Sequence, residues 1–306
     1  MSKVSVIIPT YNRENYISET IESVLNQTFQ DFEIIVIDDG STDKTKTKLE
    51  KFKSKIKLIE QKNSERAVSR NNGVKNSSGE YIAFLDSDDL WASDKLEKQV
   101  EILDNKKNMI LTYCQSFRIN EKSKKIKTAK RQLQGHNGPI FDKLLLRNFI
   151  VSATPLIRRE NFDKTNGFES KYIPYEDWEF WLRFSLMGDF SFLNQPLAYY
   201  RIHPQQSVKL TNAKKIEEVT TLLLEDSFKL RNISDQIKNK SLGLANLRFC
   251  YWYLLANDLK KANEKIKMAQ ELYSKFLLDP RWYGLKLSCM FPQLTGKGFF
   301  NLEQYH

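Results

Sequence analysis

The chain has 306 residues, 41% of them hydrophobic, which suffices for a sizeable core and excludes wholesale disorder. A formal net charge of +10 suits anionic partners such as a nucleotide diphosphate, an acidic lipid surface or nucleic acid. Its cysteines, Cys114, Cys250 and Cys289, fit neither zinc-site spacing nor a disulfide framework, so a reducing, cytoplasmic setting is the simplest expectation.

Val4 to Ile8 is a nearly continuous β-branched run, stopped by Pro9, and reads as a buried parallel strand. It is too short for a signal-peptide core and lacks a small-residue cleavage site. Tyr16 to Asn26 carries Ile17, Ile21, Val24 and Leu25 at helical spacing. Phe32 to Ile37 is a second buried strand, ending in Asp38-Asp39-Gly40-Ser41. A helix is expected over 42–52, a short strand over 57–60, a helix over 67–76 and a strand over 81–85, with another helix starting near Trp91. Strand and helix alternate through residue 104, which argues for a doubly wound α/β layer.

Beyond residue 109 the expected elements are a strand at 110–119, a basic stretch at 121–131, a helix at 141–149 and a strand at 153–157. An aromatic helix at 178–186 and strands at 190–194 and 198–202 follow. From about Gln205 the pattern is helical: one helix marked by Ile216, Val219, Leu223 and Leu230, then a hairpin of 244–255 and 259–272 joined at Asn257-Asp258. The expected domains are 1–207 and a C-terminal helical region, 208–306. The tail mixes Trp282, Tyr283, Phe291, Phe299 and Phe300 with Arg281, Lys286 and Lys297. Aromatics beside cations suit a membrane surface, and packing on the helical hairpin is the alternative. No run of about 18 apolar residues exists to span a bilayer. No basic helix or aromatic platform points to nucleic acid.

The chemistry gathers at strand ends. Tyr81-Ile-Ala-Phe-Leu85 terminates in Asp86-Ser87-Asp88-Asp89, and a buried strand cannot hold unpaired charges, so the acids must emerge at its end. Two carboxylates one residue apart suit Mg²⁺ or Mn²⁺ that also grips a diphosphate, whereas an Asp-rich turn capping the next helix is the plainer reading. Three strand ends carry polar clusters: Thr10-Tyr11-Asn12, Asp38-Asp39 and Asp86-Ser87-Asp88. In a doubly wound sheet they converge on one crevice.

Several segments resemble family 2 glycosyltransferases with the GT-A fold: Val4-Ser-Val-Ile-Ile-Pro-Thr-Tyr-Asn12, Val24-Leu-Asn-Gln-Thr-Phe29, Ile34-Ile-Val-Ile-Asp-Asp-Gly-Ser-Thr-Asp43, Ser69-Arg-Asn-Asn-Gly73 and Gly79-Glu-Tyr-Ile-Ala-Phe-Leu-Asp-Ser-Asp-Asp89. Glu176-Asp177-Trp178 with Trp181-Leu182-Arg183, and Tyr200-Arg201-Ile202-His203, follow in the same order. The resemblance covers about residues 3 to 207 and implies a GT-A type doubly wound mixed sheet flanked by helices, with a C-terminal helical extension outside it. It implies a nucleotide-diphosphate sugar donor, usually a UDP-sugar, a glycan or polyprenyl-linked acceptor, and a divalent cation, Mn²⁺ or Mg²⁺. By the same resemblance Asp39 accepts from the base. Pro9, Thr10, Tyr11, Arg13 and Asp38 shape the base and ribose pocket, and Arg70 sits near the phosphates. The implied metal positions are Asp88, which binds the cation directly, His203, which completes its shell, and Asp86, which contacts the ribose or a metal-bound water; Ser87 is an implied substrate-binding position.

An alcohol acceptor near neutral pH needs a general base. Asp177 fills that role by resemblance, with Glu176 in reserve, and inversion of the anomeric centre is implied. An acid at the start of an aromatic helix also serves as a cap. Trp178 and Trp181 either line the acceptor site or sit in the core. Leu278 stands where a polymerase-type Gln-x-x-Arg-Trp motif would need Gln before Arg281-Trp282, which implies single-sugar transfer. Two further readings stay open: a nucleotide-sugar-binding scaffold without catalysis, and a nucleotidyltransferase, which the Gly-free first loop disfavours.

Overall fold

The computed structural model describes residues 2–126, 134–205, 212–278 and 280–290. The chain divides into unit 1, residues 1–141 with 148–204, and unit 2, residues 142–147 with 205–306. The strands are β1 (Val4–Thr10), β2 (Phe32–Asp38), β3 (Lys57–Glu60), β4 (Tyr81–Phe84), β5 (Leu90–Trp91), β6 (Met109–Ile119), β7 (Leu156–Arg158) and β8 (Asp189–Arg201). The helices are α1 (Ile17–Leu25), α2 (Thr45–Leu49), α3 (Glu65–Lys75), α4 (Lys95–Asn105), α5 (Phe141–Leu146), α6 (Arg159–Phe162), α7 (Glu176–Phe184), α8 (Ala213–Lys229), α9 (Asp235–Leu255), α10 (Leu259–Leu272) and α11 (Pro280–Met290).

Unit 1 holds one mixed sheet in the order β3-β2-β1-β4-β7-β6-β8-β5. The β3-β2-β1-β4 half is parallel, so these strands point their carboxyl ends the same way. All seven residues of β1 are buried, because parallel partners flank it and helices cover its faces. Burying each Ile of that strand contributes about 1.5–3 kcal/mol, so the strand ends stand on a firm base. Helix α1 buries Ile17, Thr20, Ile21 and Val24, one face of a 3.6-residue period. Helix α3 approaches β1 at Gly73, where a Cβ would lie 2.2 Å from Ile7 Cγ2.

Three expectations shift. The helix expected near Trp91 starts instead at Lys95. Leu90 and Trp91 pair with Tyr199 and Ala198 of β8, and Trp91 Nε1 donates to Ala153 O at 2.8 Å. The acidic turn is therefore anchored by strands on both sides. The strand expected at 153–157 lies at Leu156–Arg158. The two strands expected over 190–202 are one, β8, whose pairing with β6 slips on either side of Gln115.

Lys95 is wholly buried: Nζ donates to Gln99 Oε1 at 2.7 Å and lies 4.0 Å from the Trp91 ring centroid. Burial pushes its pKa from 10.5 down to about 8. Between those values the unfolded chain binds more protons than the folded one. Stability is therefore expected to rise by roughly 2–3 kcal/mol as pH climbs from about 8 to about 10.5, and Lys95→Met should flatten that rise in urea denaturation.

In unit 2, α9 and α10 form the expected hairpin. Its turn holds Asn257 at φ 59°, and Asp258 caps α10 by accepting from Lys261 N at 3.0 Å. Helix α9 begins at Asp235, earlier than residue 244, with Ser234 as its cap. Of the aromatic tail, α11 is described, whereas Phe291, Lys297, Phe299 and Phe300 lie outside the described residues, as do residues 127–131 of the basic stretch. Among the described residues no helix is long and apolar enough to cross a membrane.

Candidate active site

The loops after β1 and β2 are tied together at the strand ends. Thr10 and Asp38 are register partners, and Asp39 N donates to Thr10 O at 2.9 Å. Asn12 N donates to Ser41 Oγ at 3.0 Å, and Asn12 Oδ1 accepts from Thr42 N at 2.8 Å. Asp38 Oδ1 accepts from Ser41 N at 3.0 Å. Thr10 Oγ1 and Asp38 Oδ2 are buried with no hydrogen-bond partner in the described structure. Asp39 is nearly buried, and Gln61 Nε2 (2.7 Å) and Ser64 N (2.9 Å) fix its Oδ1. Gly40 at φ +80° lets the chain turn there; a Cβ would lie 3.2 Å from Asn63 N. Tyr11 is 43% exposed. Pro9 differs from expectation: it is buried within β1 opposite Ile37, so it shapes the strand end and presents no surface.

The turn after β4 carries the acids. Asp88 Oδ2 lies 2.9 Å from His203 Nε2 and 3.1 Å from Arg13 Nε. Burial alone would raise the Asp88 pKa, but the His203 hydrogen bond and the Arg13 charge outweigh it and hold the carboxyl below its usual range. Arg13 also donates to the carbonyls of Tyr11 and Asn12, so it braces the β1 loop against Asp88. The Ser87 side chain is buried, and the carbonyls of Ser87 and Asp89 accept from Thr20 Oγ1 of α1 at 3.1 and 2.9 Å. Asp89 is sealed in, pushed well above the usual range by burial and by Asp88 and Asp86, and its Oδ1 accepts from Arg201 N at 2.9 Å. Arg201 is wholly buried; it donates to Asp88 O at 2.6 Å, Ser123 Oγ at 2.8 Å and Glu19 Oε2 at 2.8 Å, and its guanidinium lies 4.9 Å from the Tyr16 ring centroid.

A second cluster joins that turn to α7. Arg70, 1% exposed on α3, donates through Nη2 to Asp86 Oδ1 at 2.7 Å and through Nη1 to Glu176 Oε1 at 2.6 Å. Arg66, one turn earlier, donates to Glu176 Oε2 at 2.9 Å and to Pro174 O at 2.6 Å. Burial would raise Glu176, but the charges of Arg66 and Arg70 prevail and keep it ionised. Its neighbour Asp177 is half-buried. Asp177 Oδ2 accepts from Ser152 Oγ at 2.9 Å and Oδ1 from Trp178 N at 2.7 Å. Burial, then the Glu176 charge, push Asp177 up to about 6. Two adjacent carboxylates thus diverge: one is locked ionised by two arginines, the other is poised near the working range of a base.

Unit 1 therefore holds two side-chain clusters, Arg13–Asp88–His203 and Asp86–Arg70–Glu176–Arg66, joined through the backbone of the acidic turn, with Asp177 next to Glu176 in the chain and bonded to Ser152. Several placements bear on the expected roles. Arg70, expected near the phosphates, is buried and bridges Asp86 and Glu176. Glu176, expected as the reserve base, is bound by Arg66 and Arg70, which leaves Asp177 as the carboxyl of the pair with the raised pKa. Trp178 and Trp181 are 2% and 1% exposed, and Trp181 packs edge-on against Phe168 and Phe180, so neither offers a face to a sugar. Asp177 is not a cap either, because α7 starts at Glu176 and Tyr175 holds the cap position. Arg66, Ser152 and Gln61 take part without having been singled out, and Arg201 was noted only as part of the Tyr200–His203 segment. Only folding shows their partners.

Asp88 and His203 offer a carboxylate oxygen and an imidazole nitrogen side by side. Among the described residues no group of three or more His, Cys, Asp or Glu side chains could enclose an ion. A Mg²⁺- or Mn²⁺-type site can rest on one or two protein ligands when substrate phosphates and water complete its shell, and here Asp88 Oδ2 is engaged by His203 Nε2 and Arg13 Nε.

Residues 5–165 match the family model described as glycosyl transferase family 2. The chain belongs to that family. It is 37% identical over 203 residues to the uncharacterized glycosyltransferase RC0461 of Rickettsia conorii, a match covering 66% of this chain and 33% of that protein. The chain thus spans about a third of that relative's length. It is 35% identical over 195 residues to the Escherichia coli UDP-Glc:alpha-D-GlcNAc-diphosphoundecaprenol beta-1,3-glucosyltransferase WfgD, over 62% of this chain and 73% of WfgD. Its fold is similar to that of Staphylococcus aureus TarS 1–349 in complex with UDP, with a TM-score of 0.64, 22% identity, and coverage of 94% of this chain and 88% of that one. The fold is of the GT-A type.

Proposed function

We propose that this chain transfers one sugar, with inversion, from a UDP-sugar to a hydroxyl of a sugar acceptor carried on a polyprenyl diphosphate, in the synthesis of a bacterial surface glycan. The observation that carries the reading is the buried Asp86–Arg70–Glu176 bridge, which fixes the acidic turn and the Asp177 helix end in one network. The name of WfgD supports the donor and acceptor classes. Tyr11 stacks on the base, and the fixed carboxylate of Asp39 accepts the imide N–H of uracil. Asp88 and His203 hold a divalent cation, which when bound offsets the charge growing on the departing diphosphate. Asp177 takes the acceptor proton as the new bond forms, with Ser152 orienting its carboxylate. A single in-line displacement by that alcohol inverts the anomeric centre.

A panel of UDP-, GDP- and dTDP-sugars with Mn²⁺ and a polyprenyl-diphosphate GlcNAc acceptor tests this by nucleotide release. Release should be acceptor-stimulated, confined to UDP donors and abolished by chelation. Binding of UDP-sugar without turnover of any acceptor would instead favour a silent scaffold. Asp88→Asn should lower metal-dependent turnover by about 10²-fold or more, a scale set by single electrostatic contacts to developing charge. Turnover within a few-fold of wild type would remove Asp88 from the cation site.

A further inference from the structure

Unit 2 brings together two cysteines that the transferase site does not use. Cys250 on α9 and Cys289 on α11 are separated by 39 positions in sequence, yet their Sγ atoms stand 3.7 Å apart and both side chains are buried. The third thiol, Cys114, is buried in unit 1 with a backbone carbonyl, that of Thr154, 3.8 Å from its sulfur. A disulfide needs an S–S separation of about 2.05 Å, so the pair must close by less than about 2 Å, which side-chain rotation and a small helix shift supply. Cys pairs packed only as small apolar groups are the plainer alternative. What distinguishes this pair is sulfur-to-sulfur contact between two separate helices.

We propose that Cys250 and Cys289 form a reversible disulfide that pins α11 to α9 when the protein meets a low-molecular-weight disulfide. One thiol loses its proton and attacks the small disulfide, giving a mixed disulfide and releasing one small thiolate. The second protein thiol, deprotonated in turn, attacks the protein sulfur of that mixed disulfide and releases the second small thiolate. The two protons leave on the two small thiols, the protein pair is oxidised by two electrons, and the small disulfide is reduced. Burial makes the exchange depend on transient lifting of α11 and therefore slow.

The folded full chain is incubated with excess oxidised glutathione, quenched in acid, alkylated in denaturant and mapped by mass spectrometry. The expected product has lost two hydrogens, carries one alkylated thiol at Cys114, and yields a cross-linked peptide joining Cys250 to Cys289 that dithiothreitol resolves. Closing that loop should raise the melting temperature of the wild type by about 5 °C or more, a shift that Cys250→Ala and Cys289→Ala lack. Three alkylatable thiols after prolonged exposure, or glutathione adducts at Cys250 or Cys289 without the cross-link, would overturn the proposal. So would a cross-link that appears only when oxidation is run in denaturant.

Discussion

Asp177→Asn is expected to lower the turnover of sugar transfer by about 10²–10⁴-fold, the range that a positioned general base supplies, while UDP-sugar affinity stays within a few-fold of wild type. The amide keeps one oxygen for Trp178 N and can still pair with Ser152, so the local fold should survive. The carboxyl is pushed up to about 6, and a base must be ionised to act. The wild-type kcat/KM should therefore climb with pH through about 6 and then level off. Stability runs the other way. The folded chain holds this proton more tightly than the unfolded chain, so the contribution is present at low pH and is lost as pH rises from about 3.8 through about 6. Asp177→Asn should remove that fall and be no less stable than wild type at neutral pH. Near-normal transfer by Asp177→Asn would sink the base assignment.

Arg70→Met is expected to produce the largest loss of stability among the site variants, about 3–5 kcal/mol, because it strands the buried Glu176 carboxylate and frees Asp86. Arg66 still faces Glu176, which places the loss toward the lower end of that range. Arg70→Lys should not rescue it: an ammonium cannot donate from two fixed nitrogens to carboxylates on opposite sides. Pairing Arg70→Met with Glu176→Gln should recover part of the loss, since much of the cost is the unpaired charge. Urea denaturation read at unit 1 tryptophans measures all three. A loss under about 1 kcal/mol for Arg70→Met would mean that the acidic turn and α7 are held in place by other contacts.

Much of the fold was legible because its signals are local. The runs at 4–8, 32–37 and 81–85 are apolar on both faces, as strands buried in a parallel sheet must be, and they fall where β1, β2 and β4 lie. The helix at 259–272 matches α10 end to end because its apolar spacing and the Asp258 cap agree. What sequence pattern hid depends on long-range pairing. Leu90-Trp91 became a strand only because β8 returns beside it. The start of α9 lacks an apolar face around Lys238 and Lys240, so periodicity could not find it. The carboxylates at 38–39 and 86–88 were legible from their positions at strand ends, and those at 176–177 from the family resemblance, whereas tertiary contacts set the surroundings of each. Asp177 and Glu176 are adjacent and chemically alike, yet Arg66 and Arg70, 106 or more positions from Glu176, separate their behaviour. Trp178 and Trp181 show the reverse: aromatic residues near an active-site motif suggested a sugar platform, whereas the core claimed them.

Donor binding at Asp88 and proton removal at Asp177 belong, on this reading, to one site on unit 1. Calorimetric titration of a UDP-sugar with Mn²⁺ into wild type, Asp88→Asn and Asp177→Asn, paired with transfer assays on the same preparations, addresses it most directly. Binding is expected to be metal-dependent in wild type and Asp177→Asn and weakened in Asp88→Asn, with transfer by wild type alone. Undiminished binding and transfer by Asp88→Asn, or metal-independent transfer by all three proteins, would contradict it.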